Sequence, residues 1–576
     1  METITGIQQI KIIENNLTTK NKQITQMKRI LFSLLAVSAS FTFAGAQTIE
    51  EGVQAVYYSK FNTANNTFKQ IVAKEPGNTK AIYWLGQTLI QNIALADGAQ
   101  QARALYQQAL ATNPNDPWLL VGMGNTDYLV ANDKNAARQK FEQAIKIVED
   151  KSKRREKNQN LADIYTAIGR ASSQGDGEQG DPAYVIPLLE QALQLDPKNS
   201  DAGVYLGMNY LKQGGENGGK AYQAYNTALT RNPSYALAPY RIGVMYQSQG
   251  NYTAMNEWYQ KAIQADPTFP APYLTYFEYF RENDVNKAKE FLDQFVNVAE
   301  PSCHTKYFQA DFSYVSGNYQ EAINQAQQML NSAECRTYAD AYLLAGKGYH
   351  RLGDHDKAAA AVNDFFKAAP ASAIHNADYA SAGYIMKEVP GQEAQAVTYL
   401  KKAYELDTVA FNREKYVDSI AYAYDKVNKP TEKLDWMKSI FAGQKELTDK
   451  NLVALADASF KAEDYQLSDS LYTILRGKYP DDQFAYYYLQ QSALAQDTTK
   501  EMAVPHIQNF ITFLEKNPEE NKNSLIYEYS LLGDYYANTK KDYAQAKTYF
   551  QKMYDLDPSN QDIKNVLDQL ERILNR

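Results

Sequence analysis

Reactive side chains are scarce in this chain of 576 residues, which holds five histidines and two cysteines. His304, His350, His355, His375 and His506 include no His-Glu-x-x-His pair, and none stands at zinc-finger spacing from a cysteine. His350 and His355 are separated by an expected loop, which is a surface arrangement. No Gly-x-Ser-x-Gly elbow, phosphate loop or dinucleotide fingerprint occurs. The 67 acidic residues are spread over helical stretches, where solvation is their default role. No residue is nominated as nucleophile, general base or metal ligand. The expectation is a protein without enzymatic activity, cofactor or metal.

The chemistry that remains is binding and cross-linking, and both depend on the elements that carry the side chains. A phrase recurs: a small residue, an aromatic or aliphatic residue four on, a small or apolar one three later, then Pro five further. It appears as Ala64, Phe68, Ile71, Pro76; as Ala221, Tyr225, Ala228, Pro233; as Ala358, Val362, Phe365, Pro370; and as Ala546, Phe550, Met553, Pro558. About ten residues after the Pro a second phrase often follows, as in Leu85-Gly86, Leu206-Gly207 and Ile242-Gly243. Pro233 and Pro267 lie 34 residues apart. A fixed period of that length marks a helical repeat array. Each unit pairs two amphipathic helices, the small residue allowing close approach and the aromatic filling the groove. A lone hairpin cannot bury its apolar face, so the units must stack.

Gly243, Tyr246, Met255, Tyr259, Ala262 and Pro267 resemble the tetratricopeptide repeat in type and spacing, and so do Gly346, Tyr349, Ala358, Val362, Phe365 and Pro370. The resemblance implies an all-α solenoid, a right-handed superhelix of about 14 antiparallel helix pairs. The last helix, Gln561 to Leu574, reads as its C-terminal cap. It also implies a concave face lined by the first helix of each pair. Transferring the register places Tyr83, Gln87, Tyr240, Val244, Tyr307, Asp311, Tyr314 and Lys347 on that face. Tyr offers rigid area with a polar tip, which suits peptide or sugar contact. The Lys and Asn of a carboxylate clamp are not matched, because Val121 stands at the Lys place before Asn125.

The domain reading is a misplaced start or an odd N-terminal extension over 1–26, a signal peptide over 27–46, repeat arrays over 47–300 and 301–558, and the cap over 559–576. Lys28-Arg29, the apolar stretch Ile30 to Phe43 and Ala44-Gly45-Ala46 carry the signal-peptide expectation, with Gln47 as the mature first residue. No other apolar run reaches spanning length, so no transmembrane segment is expected in the mature chain. Removing residues 1–46, with five basic and two acidic residues, takes the net charge from −8 to −11. That balance argues against nucleic acid as a partner.

Cys303 falls at the start of one expected hairpin and Cys335 at its end, and those ends meet in an antiparallel pair. Export would place them in an oxidising compartment, so a disulfide is expected, with two buried thiols as the alternative. Three hairpins carry longer internal loops, Asn92 to Gly98, Ser172 to Asp181 and Gly214 to Gly219, which would project from one edge. Binding on that edge stays open beside binding on the concave face. The functional expectation is an exported scaffold, periplasmic in a Gram-negative cell, that binds envelope proteins or extended segments of them. The alternative is a glycan- or nutrient-binding protein with an aromatic groove.

Overall fold

The computed structural model describes residues 48–575 apart from 93, 94, 96, 152, 153, 176 and 445. The readings on 1–46 lie outside the described residues. Among those residues there are 29 α-helices and no strand. They alternate as antiparallel pairs, from Ile49–Tyr57 with Phe61–Lys74 to Lys522–Asp534 with Tyr543–Leu556, and close on the single helix Gln561–Leu574. The chain forms two compact units, one ending at Ser302 and one beginning at Cys303. In each, successive helix pairs stack into an α-solenoid.

The recurring phrases explain the pairing. Ala64, Ala221, Ala358 and Ala546 are completely enclosed between helices, and Phe68, Tyr225 and Val362 fill the adjacent grooves. The approach is closest at glycine. A Cβ on Gly207 would stand 2.4 Å from the Tyr225 ring, and one on Gly243 would stand 2.4 Å from the Tyr259 ring. The prolines of the phrase do not open the next helix. Pro197 lies in a turn closed by the Asn199 amide donating to the Asp196 carbonyl, 3.1 Å. Asn199 then caps the helix Ser200–Gln213 by accepting from the Ala202 amide, 2.9 Å. Segments 271–300 and 411–443, which lack the landmarks, still form hairpins: Ala271–Phe280 with Val285–Val298, and Ala410–Lys426 with Pro430–Phe441.

The terminal helix buries Ile563, Leu567 and Leu570 against the last pair. At the start of the second unit, Cys303 opens the helix Cys303–Val315 and Cys335 follows Tyr319–Asn331. Their sulfurs are bonded, with Cα atoms 5.4 Å apart. No helix of the described residues is long and apolar enough to cross a membrane.

Candidate functional site

The N-terminal unit holds a cleft of about 690 Å³. Its walls are the first helices of successive pairs and the turns that lead into them. Val53 and Tyr57 come from Ile49–Tyr57, Lys80 and Trp84 from Thr79–Gln91, Trp118 from Pro117–Thr126. Asp163 and Arg170 come from Arg154–Ser173, and Asp201 from Ser200–Gln213. Asp266 and Phe269 lie in the turn before Ala271–Phe280.

Arg170 organises the floor. Only 3% of it is exposed. Its Nε donates to the Tyr205 hydroxyl at 2.9 Å, Nη1 to Tyr83 at 3.2 Å and Nη2 to Tyr57 at 2.8 Å. Nη2 also reaches the Asp201 carboxylate at 3.4 Å. Tyr57 and Tyr235 both donate to that carboxylate, and Tyr58 donates to Asp266. Burial pulls the Arg170 pKa down, but the surrounding Tyr205, Tyr57 and Tyr83 oxygens and Asp201 more than restore it. The Tyr57 hydroxyl is held well above the usual range, first by burial. The network is therefore a fixed cation tied to neutral phenols. Beside it Lys80 lies 5.0 Å over the Trp118 ring and 3.7 Å from Asp163.

A second cavity of about 280 Å³ lies on the other side of Arg170 and Tyr57. Tyr240, Arg241, Ser173 and Gln174 line it. Ser173 and Gln174 lie at the start of the second inserted loop, and Lys212 donates to the Gln174 and Gly175 carbonyls at 3.0 Å. The inserted edge thus borders this smaller cavity.

The expected concave residues divide. Tyr240 reaches a cavity wall, half-buried, with its hydroxyl 3.2 Å from Thr275 and its ring stacked on Tyr259. Val244 packs against the Met255–Tyr259 cluster. Tyr83 and Gln87 are corrected: both are completely buried. Tyr83 faces Arg170, and Gln87 bonds Tyr106 and Gln174 inside the stack. Asn125, at a clamp place, is also interior and donates to Gln174 at 2.7 Å. In the second unit Asp311 is buried, a further correction, whereas Tyr307, Tyr314 and Lys347 are half-buried. Tyr307 stacks with Tyr338, and the Tyr314 hydroxyl accepts from Arg351 at 3.2 Å.

Sequence reasoning missed Arg170, Trp84, Trp118 and Asp201. Two signals were available. Trp occurs four times in the chain, and Arg170 is the single charge in the stretch Ile164 to Ser173.

Two segments, 240–269 and 529–560, match the family model described as tetratricopeptide repeat. Each coincides with one helix pair. Among solved structures, the C-terminal part of a TPR repeat-containing protein from Cytophaga hutchinsonii is 22% identical. That match covers 45% of this chain and 99% of the other, with a TM-score of 0.32. Yeast Tom70 is 13% identical over 74% of this chain and 98% of its own, with a TM-score of 0.38. The human IFIT1 dimer with m7Gppp-AAAA is 13% identical over 73% and 91%, with a TM-score of 0.40. At these scores the likenesses say nothing about ligands or partners. The matched segments are tetratricopeptide repeats, and the helix pairs around them, with the same enclosed small residues, form an all-α solenoid of that repeat type.

Proposed function

We propose that this protein is an exported scaffold that holds an extended segment of another protein in the cleft of its N-terminal unit. The cleft of about 690 Å³ between first helices carries the reading. Its size suits a few side chains of a peptide rather than a folded domain. Val53, Tyr57 and Trp118, all half-buried, offer apolar area, and Asp163, Asp201 and Asn199 offer polar groups for main-chain amides. Arg170 locks the floor, so little order must be gained on binding. Nothing in the cleft resembles a nucleophile with its base.

Export and a role in the cell envelope are part of the same proposal. They are supported by Lys28-Arg29, the apolar stretch and Ala44-Gly45-Ala46. The Cys303–Cys335 bond fits an oxidising compartment. N-terminal sequencing of protein from the native envelope should begin at Gln47, and an intact Met1 there would remove the export reading.

The binding test places a photo-crosslinking residue at Trp118 and maps the captured peptide by mass spectrometry. A Trp118→Ala variant should lose about tenfold or more in affinity for that peptide, as at an aromatic hot spot, with helicity unchanged. Deleting Gly214 to Gly219 should leave capture intact. If that loop deletion abolishes capture and Trp118→Ala does not, the inserted edge is the binding surface. A purified glycan that binds the cleft when no envelope protein does would replace the peptide reading.

A further inference from the structure

The C-terminal unit carries a groove of different chemistry. Two adjoining cavities of about 720 and 460 Å³ share Phe484 and Tyr488 as a common wall. The groove crosses the first helices of three successive pairs, Asp449–Lys461, Gln483–Gln496 and Lys522–Asp534. Large apolar side chains stand open along it: Phe484 is 61% exposed, Tyr527 52% and Val453 49%. Such contiguous exposure on a water-facing protein marks an interaction surface. The rings behind are immobilised, Tyr488 being stacked on Tyr472 at 4.8 Å and edge-on to Tyr487 at 5.3 Å.

One polar group breaks the apolar lining. Glu528 lines the smaller cavity yet is only 2% exposed. Its Oε2 has no hydrogen-bond partner among the described residues. No described lysine, arginine or histidine forms an ion pair with it. The Gln490 amide beside it is completely buried and faces the carboxyl, which partly offsets the effect of burial but leaves Oε2 open. Burial pushes the Glu528 carboxyl up to about 7. Elsewhere in the groove the carboxylates are already engaged. Asp449 accepts from Lys478 at 3.0 Å, and Asp457 from Lys461 at 2.9 Å. A buried carboxyl with an open oxygen, behind aromatic walls, is costly unless a cation meets it.

We infer that this groove receives a cationic side chain of a partner peptide, an alkylammonium or guanidinium group, between Phe484, Tyr487 and Tyr527 and against the Glu528 carboxylate. The pieces fit one ligand chemistry. Ring faces attract cations, most strongly where water is excluded. The methylene stem of Lys or Arg would cover the exposed ring surface. The charged head would supply the donor that Oε2 lacks, as a charge-assisted bond. An aliphatic side chain would leave Oε2 unsatisfied, and an acidic one would be repelled by it. This site is independent of the N-terminal cleft and does not rest on the reading given for it.

The test uses the full chain, above neutral pH, with three small probes. They are N-acetyl-lysine N-methylamide, its arginine counterpart and its norleucine counterpart, which differ in side-chain length and head group, followed by saturation-transfer NMR. At least one cationic probe should bind about tenfold or more tightly than norleucine. Preference for lysine alone, or for arginine alone, supports the inference and names the source of the cation. Glu528→Gln should erase the preference without lowering the melting temperature. Tyr527→Ala, a change at an exposed ring, should weaken the cationic probes. Equal binding of norleucine, binding of no probe, or a preference that survives Glu528→Gln would each overturn the inference.

Discussion

The Arg170 guanidinium carbon lies 4.1 Å from the centre of the Trp84 ring, although the two residues belong to first helices two repeats apart. The cation is enclosed by that ring and by the hydroxyls of Tyr57, Tyr83 and Tyr205. Arg170→Met should therefore destabilise the N-terminal unit by about 3 kcal/mol or more, because Asp201 and three phenols lose their donor. Arg170→Lys should not rescue it, since an ammonium cannot aim donors along a planar fork at three hydroxyls. Urea unfolding followed by Trp fluorescence reads both. A loss under about 1 kcal/mol would show that the network does not hold the cleft floor.

The Glu528 carboxyl gives a pH dependence of known sign. Its value rises from 4.5 to about 7 in the fold, so the folded state holds the proton more tightly than the unfolded chain. The group costs nothing below the unfolded value. Stability then falls as pH rises through the folded value, by up to about 3 kcal/mol. Glu528→Gln should match the wild type below the unfolded value of 4.5 and exceed it in mild alkali. A difference in melting temperature that stays constant across that range would show that Glu528 does not carry the effect.

Cys303 and Cys335 close a loop with a sequence separation of 32. Replacing both by Ala should lower the stability of their hairpin by about 3–4 kcal/mol if loop-closure entropy dominates. Labelling unfolded, unreduced protein with a thiol reagent should detect no free cysteine. Two labelled thiols per chain would mean that the bond does not form. Repeats away from this hairpin should keep their hydrogen-exchange protection in the variant, because repeat stability is near-neighbour in character.

Removing Gln561 to Arg576 takes away the partners of the last helix pair. Ile563, Leu567 and Leu570 are buried there, in one cluster with Phe550 and Met553. The truncated protein should bind more of a hydrophobic dye and aggregate at lower concentration. Unchanged solubility and dye binding would remove the capping role.

The helix pairs were legible in the chain because their determinants are local. The spacing Ala64–Phe68–Ile71 and its copies encode which residues meet across one hairpin, and one hairpin spans few enough residues for the pattern to show. The disulfide belongs to the same class, since Cys303 and Cys335 lie in one hairpin. The site was less legible. On helix Thr79–Gln91 the expected face was Tyr83 and Gln87, whereas the cleft is lined by Lys80 and Trp84. The two pairs are displaced by three residues, which at about 100° per residue leaves the two faces about 60° apart. The floor was beyond local reading altogether. Tyr57 meets Asp201 across a separation of 144 residues, and Arg170 meets Tyr57 across 113. Such contacts depend on small rotations that accumulate from one repeat to the next within the N-terminal unit, and no single repeat encodes their sum. The sequence alone thus determined the hairpin and its period, and pointed to the cross-link with two thiols as the alternative. Only the tertiary structure decided which side chains face the clefts, and that Arg170 and Glu528 are enclosed rather than solvated.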